Sequence, residues 1–133
     1  MAETLVDLSR YRLEKSAEML AAARRDFSDG DYASANNRAY YCVFHAMRAV
    51  LALDGENYKK HSAVIARFTM SYLKTEILPR DFSKLIANAS LIRNRSDYED
   101  FYECSIEDRA RLLEGAKVFH DAIGDYLAAR WQT

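Results

Sequence analysis

The stretch from Asp31 to Asp54 constrains this chain most, because it is apolar along two faces at once. Tyr40, Phe44, Met47 and Leu51 form one stripe at helical spacing. Ala39, Val43, Ala46, Val50 and Leu53 form another. A helix with two apolar faces has to be covered on both sides. A helix near 31–54 is therefore expected at the centre of the fold. Its remaining polar stripe is narrow: Arg38, Tyr41, His45 and Arg48, at spacings of three, four and three.

Punctuation is sparse elsewhere. The 133 residues include four Gly and one Pro, which favours helices throughout. A first helix near 3–27 puts Val6, Leu13, Ala17, Leu20 and Phe27 on one face and stops at Ser28-Asp29-Gly30, and Asp31 suits the next N-cap. A third helix, from about Lys59 to Leu73, turns Val64, Ile65, Phe68 and Tyr72 inward. After the Leu78-Pro79 turn, a fourth begins at Pro79 or Arg80 and carries Phe82, Leu85, Ile86, Ala89 and Ile92. Glu99 to Cys104 is an acidic and aromatic connector that fits helix or loop. Ser105 with Asp108 has the form of a capping box with Asp in place of Glu. The last helix runs to about Arg130, with Leu112, Ala116, Phe119, Ile123 and Tyr126 inward. No internal repeat or interdomain linker interrupts the pattern. The expectation is an all-α fold, one domain over residues 1–133, built as an up-and-down bundle of four to five helices.

Charge and cysteine usage bound the function. A net charge of −1 argues against a domain that coats nucleic acid non-specifically, while leaving room for a small basic cleft. Two cysteines, Cys42 and Cys104, make no disulfide framework. No segment reaches membrane-spanning length and no leader pattern opens the chain. A cytoplasmic protein with no membrane partner is expected. Cys42-x-x-His45 supplies two ligands, too few for a structural zinc, so neither metal nor cofactor is expected.

One residue breaks the apolar pattern. Phe82, Ile86, Ala89 and Arg93 follow at four, three and four, so Arg93 stands where an apolar residue is due. An unpaired guanidinium there costs several kcal/mol in rough terms, so it needs a partner, a polar cleft or a ligand. Asp97, at i+4, can be that partner, and such a pair is also a common internal clamp. Tyr98 lies about 140° round an ideal helix from Arg93. The two converge only if the helix ends there or a second protomer supplies one of them.

Two stretches together identify a resemblance. Arg38-Ala39-Tyr40-Tyr41, followed by Phe44-His45, is similar to the second-helix pattern of the HEPN family. Arg93-Asn94-x-x-Asp97-Tyr98 resembles that family's late arginine motif, and Lys60-His61 looks familial too. The resemblance covers nearly the whole chain. It implies a bundle of four or five helices, a homodimer, and a cleft at the dimer interface lined by the motifs. Many members are metal-independent RNA endonucleases whose motif is an arginine, a polar residue and a later histidine. Arg93 and Asn94 match the first two positions. No histidine lies between His61 and His120, and Tyr98 stands in the histidine region. That substitution resembles the branch paired with a minimal nucleotidyltransferase in toxin–antitoxin modules, where the motif tyrosine receives AMP. RNA, nucleotide and such an antitoxin are the partners this implies. The runner-up is a non-catalytic HEPN subunit that binds nucleotide or protein beside the nucleotidyltransferase.

The residue chemistry fits that reading. Arg93 can take two phosphate oxygens with its fork, and Asn94 can hold a ribose or a non-bridging oxygen. Tyr98 is a poor base near pH 7, a role that would need a neighbouring cation such as Arg95 or Arg93, and a better acid for a leaving oxygen. Asp97, Arg38, Tyr41 and His45 are expected to support the cleft. Tyr41 suits a buttress between helices, and His45 a hydrogen-bonded structural role.

Overall fold

The computed structural model describes residues 4–100 and 102–133. Residue 3, at the expected start of the first helix, and Phe101 in the connector lie outside them. The described residues form α1 (Leu5–Ser28), α2 (Tyr32–Leu53), α3 (His61–Phe68), α4 (Phe82–Tyr98) and α5 (Ile106–Trp131), with no strand. A π-helical turn, Thr69–Leu73, prolongs α3. Contacts fix the directions. Ser9 meets Ala49 and Ser16 meets Cys42, so α1 runs antiparallel to α2. Trp131 meets Ser9 and His120 meets Ser16, so α5 is antiparallel to α1. Leu85 lies against Gly115 while Phe82 meets Phe119, so α4 is antiparallel to α5. The fold is an all-α up-and-down bundle.

Helix α2 is the axle. Both of its apolar stripes are buried, and it packs against α1, α3, α4 and α5. Tyr40, Met47, Leu51, Val43 and Val50 are almost wholly enclosed. Each such side chain contributes roughly 1.5–3 kcal/mol through its burial. The ends follow local chemistry. Thr4 and Asp7 form a reciprocal capping box, Asp31 accepts the Ser34 amide, and Ser105 accepts the Asp108 amide. Gly30, at φ 80°, makes the tight left-handed step between α1 and α2.

Two local expectations are revised, and one left open is resolved. Helix α4 begins at Phe82 rather than Pro79 or Arg80. The amides of Phe82, Ser83 and Lys84 bond three residues back, to Pro79, Arg80 and Asp81, so the entry is a tightened turn. The described residues of the Glu99–Cys104 connector are not helical. The inner face of α1 is also rotated. Ser9, Arg12, Ser16, Leu20 and Ala23 are buried, whereas Ala17 is exposed and Val6, Leu13 and Phe27 are half-buried. Small hydroxyls let α1 approach α2 closely, and each donates to an α2 carbonyl. Ser9 Oγ lies 2.7 Å from Ala49 O, Arg12 Nη1 3.2 Å from Arg48 O, and Ser16 Oγ 2.7 Å from Cys42 O. An apolar count cannot see a face whose contacts are hydrogen bonds.

This face assignment predicts an inversion of the usual pattern. Ser16→Ala should cost about 1–2 kcal/mol, because it leaves the buried partners of Ser16 with one fewer bond. Ala17→Ser, one residue on, should change stability by less than about 0.5 kcal/mol. Urea midpoints of the two variants, with unchanged slopes, decide between the faces.

Candidate functional site

The last turns of α4 lie against the first half of α2, and Arg93 sits between them. Its side chain is 18% exposed. The guanidinium carbon is 5.2 Å from the Tyr40 ring centre and 5.5 Å from that of Tyr41. Both aromatic faces attract the cation, and more strongly where water is partly excluded. Its hydrogen bonds are long: Nη2 to Tyr41 Oη and Nη1 to Asn94 Oδ1, each 3.3 Å. Nε lies 3.1 Å from Asp97 Oδ2 but makes no directed hydrogen bond. The guanidinium is thus held by charge and ring faces, with no short bond saturating its fork.

Asp97 is gripped from the other side. Asn37 Nδ2 donates to its Oδ2 at 3.2 Å, and Arg38 Nη1 donates to Asn37 Oδ1 at 3.4 Å. Asn36 Nδ2 donates to Ser96 Oγ at 3.0 Å. These contacts tie the motif turn of α4 to the start of α2. Asn36, buried, and Asn37, half-buried, lie just before the Arg38-Ala39-Tyr40-Tyr41 pattern, and neither was expected at the site from the sequence.

Tyr41 is the hinge between this cluster and a second one. Beyond it, His45, Arg48, Asn57, Lys59 and His61 line a cavity of about 490 Å³. His61 enters from the start of α3. Its Nδ1 is 2.9 Å from Tyr40 Oη, and its ring lies 4.1 Å from that of Phe44. Burial, with Arg93 and Arg48, holds its pKa down. His45 lies with its ring 5.9 Å from that of Tyr41. Its pKa is pushed down to about 4 by burial, then by Arg48, Lys15, Arg12 and His61. Both imidazoles are neutral at pH 7. His61 was noticed in the sequence only as familial. Its role at the site needs the fold of α3 across Tyr40.

The structure therefore brings together Arg93, Asn94, Asp97 and Tyr41, and it places His45 in the adjoining cavity beyond Tyr41. It places three other expected residues elsewhere. Arg38 is exposed, and its Nε lies 3.9 Å from Asp26 on α1. Arg95 points to Glu99 at 3.8 Å and over the Tyr102 ring. Tyr98 is the last residue of α4 and 74% exposed. The helix continues through it, so Tyr98 projects away from the Arg93 of its own protomer. Cys42 faces the core, near Ser16 and the Ala116 carbonyl, and burial pushes its thiol up to about 11. Among the described residues, no three His, Cys, Asp or Glu side chains are grouped to share a metal ion. No helix among them is long and apolar enough to cross a membrane.

The His45 environment sets a pH dependence. Its folded pKa lies below the unfolded value of 6.5. The unfolded chain therefore takes up a proton that the folded chain refuses, and stability falls as pH drops from about 6.5 towards about 4. Allowing for partial exposure, the loss from this group between pH 7 and pH 5 is about 1–2 kcal/mol. His45→Gln should flatten that slope by about one proton. Urea unfolding of both proteins at the two pH values, in phosphate-free buffer, measures it.

Comparison with known proteins agrees with this architecture. The HEPN domain family model matches residues 9–126. A Methanocaldococcus jannaschii protein named "Putative toxin" is 29% identical over 118 residues, covering 89% of this chain and 80% of the relative. A second protein of that name from the same organism is 30% identical over 111 residues, covering 84% of this chain and 82% of its own length. A UPF0332 protein of Thermotoga maritima is 29% identical over 113 residues, covering 85% and 86%. With both motif helices inside the matched region, this chain belongs to the HEPN domain family.

Proposed function

We propose that this chain is a metal-independent RNA endonuclease, the toxin side of a HEPN/nucleotidyltransferase pair. The observation that carries this reading is Arg93, a half-buried guanidinium between two tyrosine faces, beside Asn94 and a basic cavity. The "toxin" in the names of two relatives supports the toxin side. In this reading the 2′-hydroxyl attacks the adjacent phosphorus, the 5′-oxygen leaves, and a 2′,3′-cyclic phosphate forms. Arg93 stabilises the phosphorane oxygens and Asn94 positions the ribose. His61, neutral at pH 7, suits the proton acceptor. Tyr98 gives its proton to the leaving oxygen. Because Tyr98 points away from its own Arg93, it serves the site of the partner protomer in a symmetric homodimer.

Asp97 supports a second reading. It already sits against Arg93, so phosphate has to compete with or share that pair. A non-catalytic HEPN subunit that binds nucleotide or protein, partnered with the nucleotidyltransferase, keeps the pair intact.

The two readings separate in one assay. Pure protein incubated with RNA in a chelator should cleave it, and Arg93→Ala should lose at least about 100-fold in rate. Activity that vanishes in chelator and returns with magnesium would overturn the mechanism. Arg93→Ala and Tyr98→Phe subunits, each inactive, should regain about a quarter of the activity when mixed, because half the dimers are mixed and hold one complete site. No regain would place both residues in one protomer.

Tyr98 is also the proposed acceptor of AMP. Its 74% exposure leaves the hydroxyl open to a partner enzyme. The added phosphate would compete for the partner protomer's guanidinium fork and neutralise its charge. Intact mass and peptide mapping after incubation with the cognate nucleotidyltransferase and ATP should find AMP on Tyr98 and none at this position in Tyr98→Phe. Transfer to another tyrosine with Tyr98 untouched removes this role.

A further inference from the structure

The cavity beyond Tyr41 has an excess of positive charge that no carboxylate among its lining residues offsets. Arg12, on α1, is 7% exposed, yet among the described residues its hydrogen bonds go only to the Arg48 carbonyl and to Asn57 Oδ1. Arg48 uses the same Asn57 oxygen, at 2.9 Å against 3.1 Å for Arg12. Two guanidinium groups therefore share one neutral acceptor, and the buried Nε of Arg48 has no hydrogen-bond partner among the described residues. Buried cations are ordinarily paired, and like charges this close repel. Lys59 adds a third cation, and Lys15 acts on His45 from α1. Glu56, next to Asn57 in the sequence, is held by Arg67 in a two-pronged pair at 2.8–3.0 Å and accepts from Tyr58. It is committed elsewhere.

Helix α3 adds an independent sign. Its N-terminus, at the rim of this cavity, has no side-chain cap. The residues there are Lys59, Lys60 and His61, where the helix dipole favours negative charge. Free amides and an unfavourable run of cations at one helix start are both relieved by an anion. Asn57 and the two neutral imidazoles supply donors that distinguish a multi-oxygen anion from chloride.

We propose that the cavity formed by Arg48, Asn57, Lys59, His45 and the start of α3 is a binding site for a phosphate group, adjoining the Arg93 cluster across Tyr41 and sharing His61 with the proposed cleavage site. Arg48 and Lys59 contact the oxygens, and Arg12 supports Arg48 from behind. This goes beyond the RNA-cleavage reading and does not need it: the site binds phosphate whether or not the protein cuts RNA. The same chemistry is offered by an RNA backbone phosphodiester and by a free or terminal phosphate.

The test is a titration of wild-type protein followed by the imidazole NMR signals, at constant ionic strength made up with chloride. Inorganic phosphate, pyrophosphate, and a short single-stranded 2′-O-methyl RNA, which lacks the attacking hydroxyl, with or without a 5′-phosphate are the probes. Saturable shifts of His45 and His61, with their pKa values moving up and His120 unmoved, are expected for at least one probe. Lys59 is exposed, so Lys59→Gln should fold normally and weaken that probe about tenfold. Arg48→Gln should weaken it further if the variant folds. Saturation by phosphate, by pyrophosphate or by RNA only when it carries a 5′-phosphate assigns a free or terminal group, and saturation by both RNAs alike with none by phosphate or pyrophosphate assigns the backbone. No saturable shift with any probe, or an affinity unchanged in Lys59→Gln, overturns the site. Because binding is read without turnover, an inactive protein that binds phosphate leaves this inference standing and removes only the nuclease.

Discussion

The enclosure of α2 is the constraint on which everything else depends. A helix apolar on two sides has no stable place at a surface, so four other helices assemble round it. What it leaves uncovered is the strip that begins at Tyr41 and continues through His45 and Arg48. The candidate site and the basic cavity both open along that strip. The rigid core and the functional surface are two sides of one helix, so the site inherits the order of the core.

Polar contacts do more of the assembly than the composition suggests. The α1–α2 interface is built from Ser9, Arg12 and Ser16 reaching α2 carbonyls. Arg130 joins Tyr72 and Asp54, which ties the last helix to the π-helical turn and to the end of α2. Each such bond adds modest net stability, but leaving any of these buried groups unpaired is costly. Specific register between helices follows from that asymmetry.

The electrostatics divide at Tyr41. On one side Arg93 has Asp97 and two ring faces, and its charge is largely compensated. On the other, Arg12 and Arg48 share the neutral Asn57 oxygen, Lys59 adds a third cation, and two imidazoles are kept uncharged. A small protein with a net charge of −1 thus concentrates uncompensated positive charge in one cleft. This is the arrangement that draws an anion to a chosen place without coating the whole surface.

The helices, the centrality of α2, the inward position of Arg93 and its Asp97 partner were all legible in the sequence. They depend on periodicities of three and four residues, and local geometry reproduces those faithfully. The inner face of α1 was not legible, because serine hydroxyls bond to carbonyls that belong to another helix. The direction of Tyr98 depended on whether α4 stopped before it, and the chain continues helical through that residue. The joining of His61 to Tyr40, and the sharing of Asn57 by Arg12 and Arg48, bring together residues 21, 45 and 9 positions apart. No pattern along the chain encodes those meetings. They exist because α1 and α3 pack against α2, and that packing was decided by the competition to bury its two apolar faces.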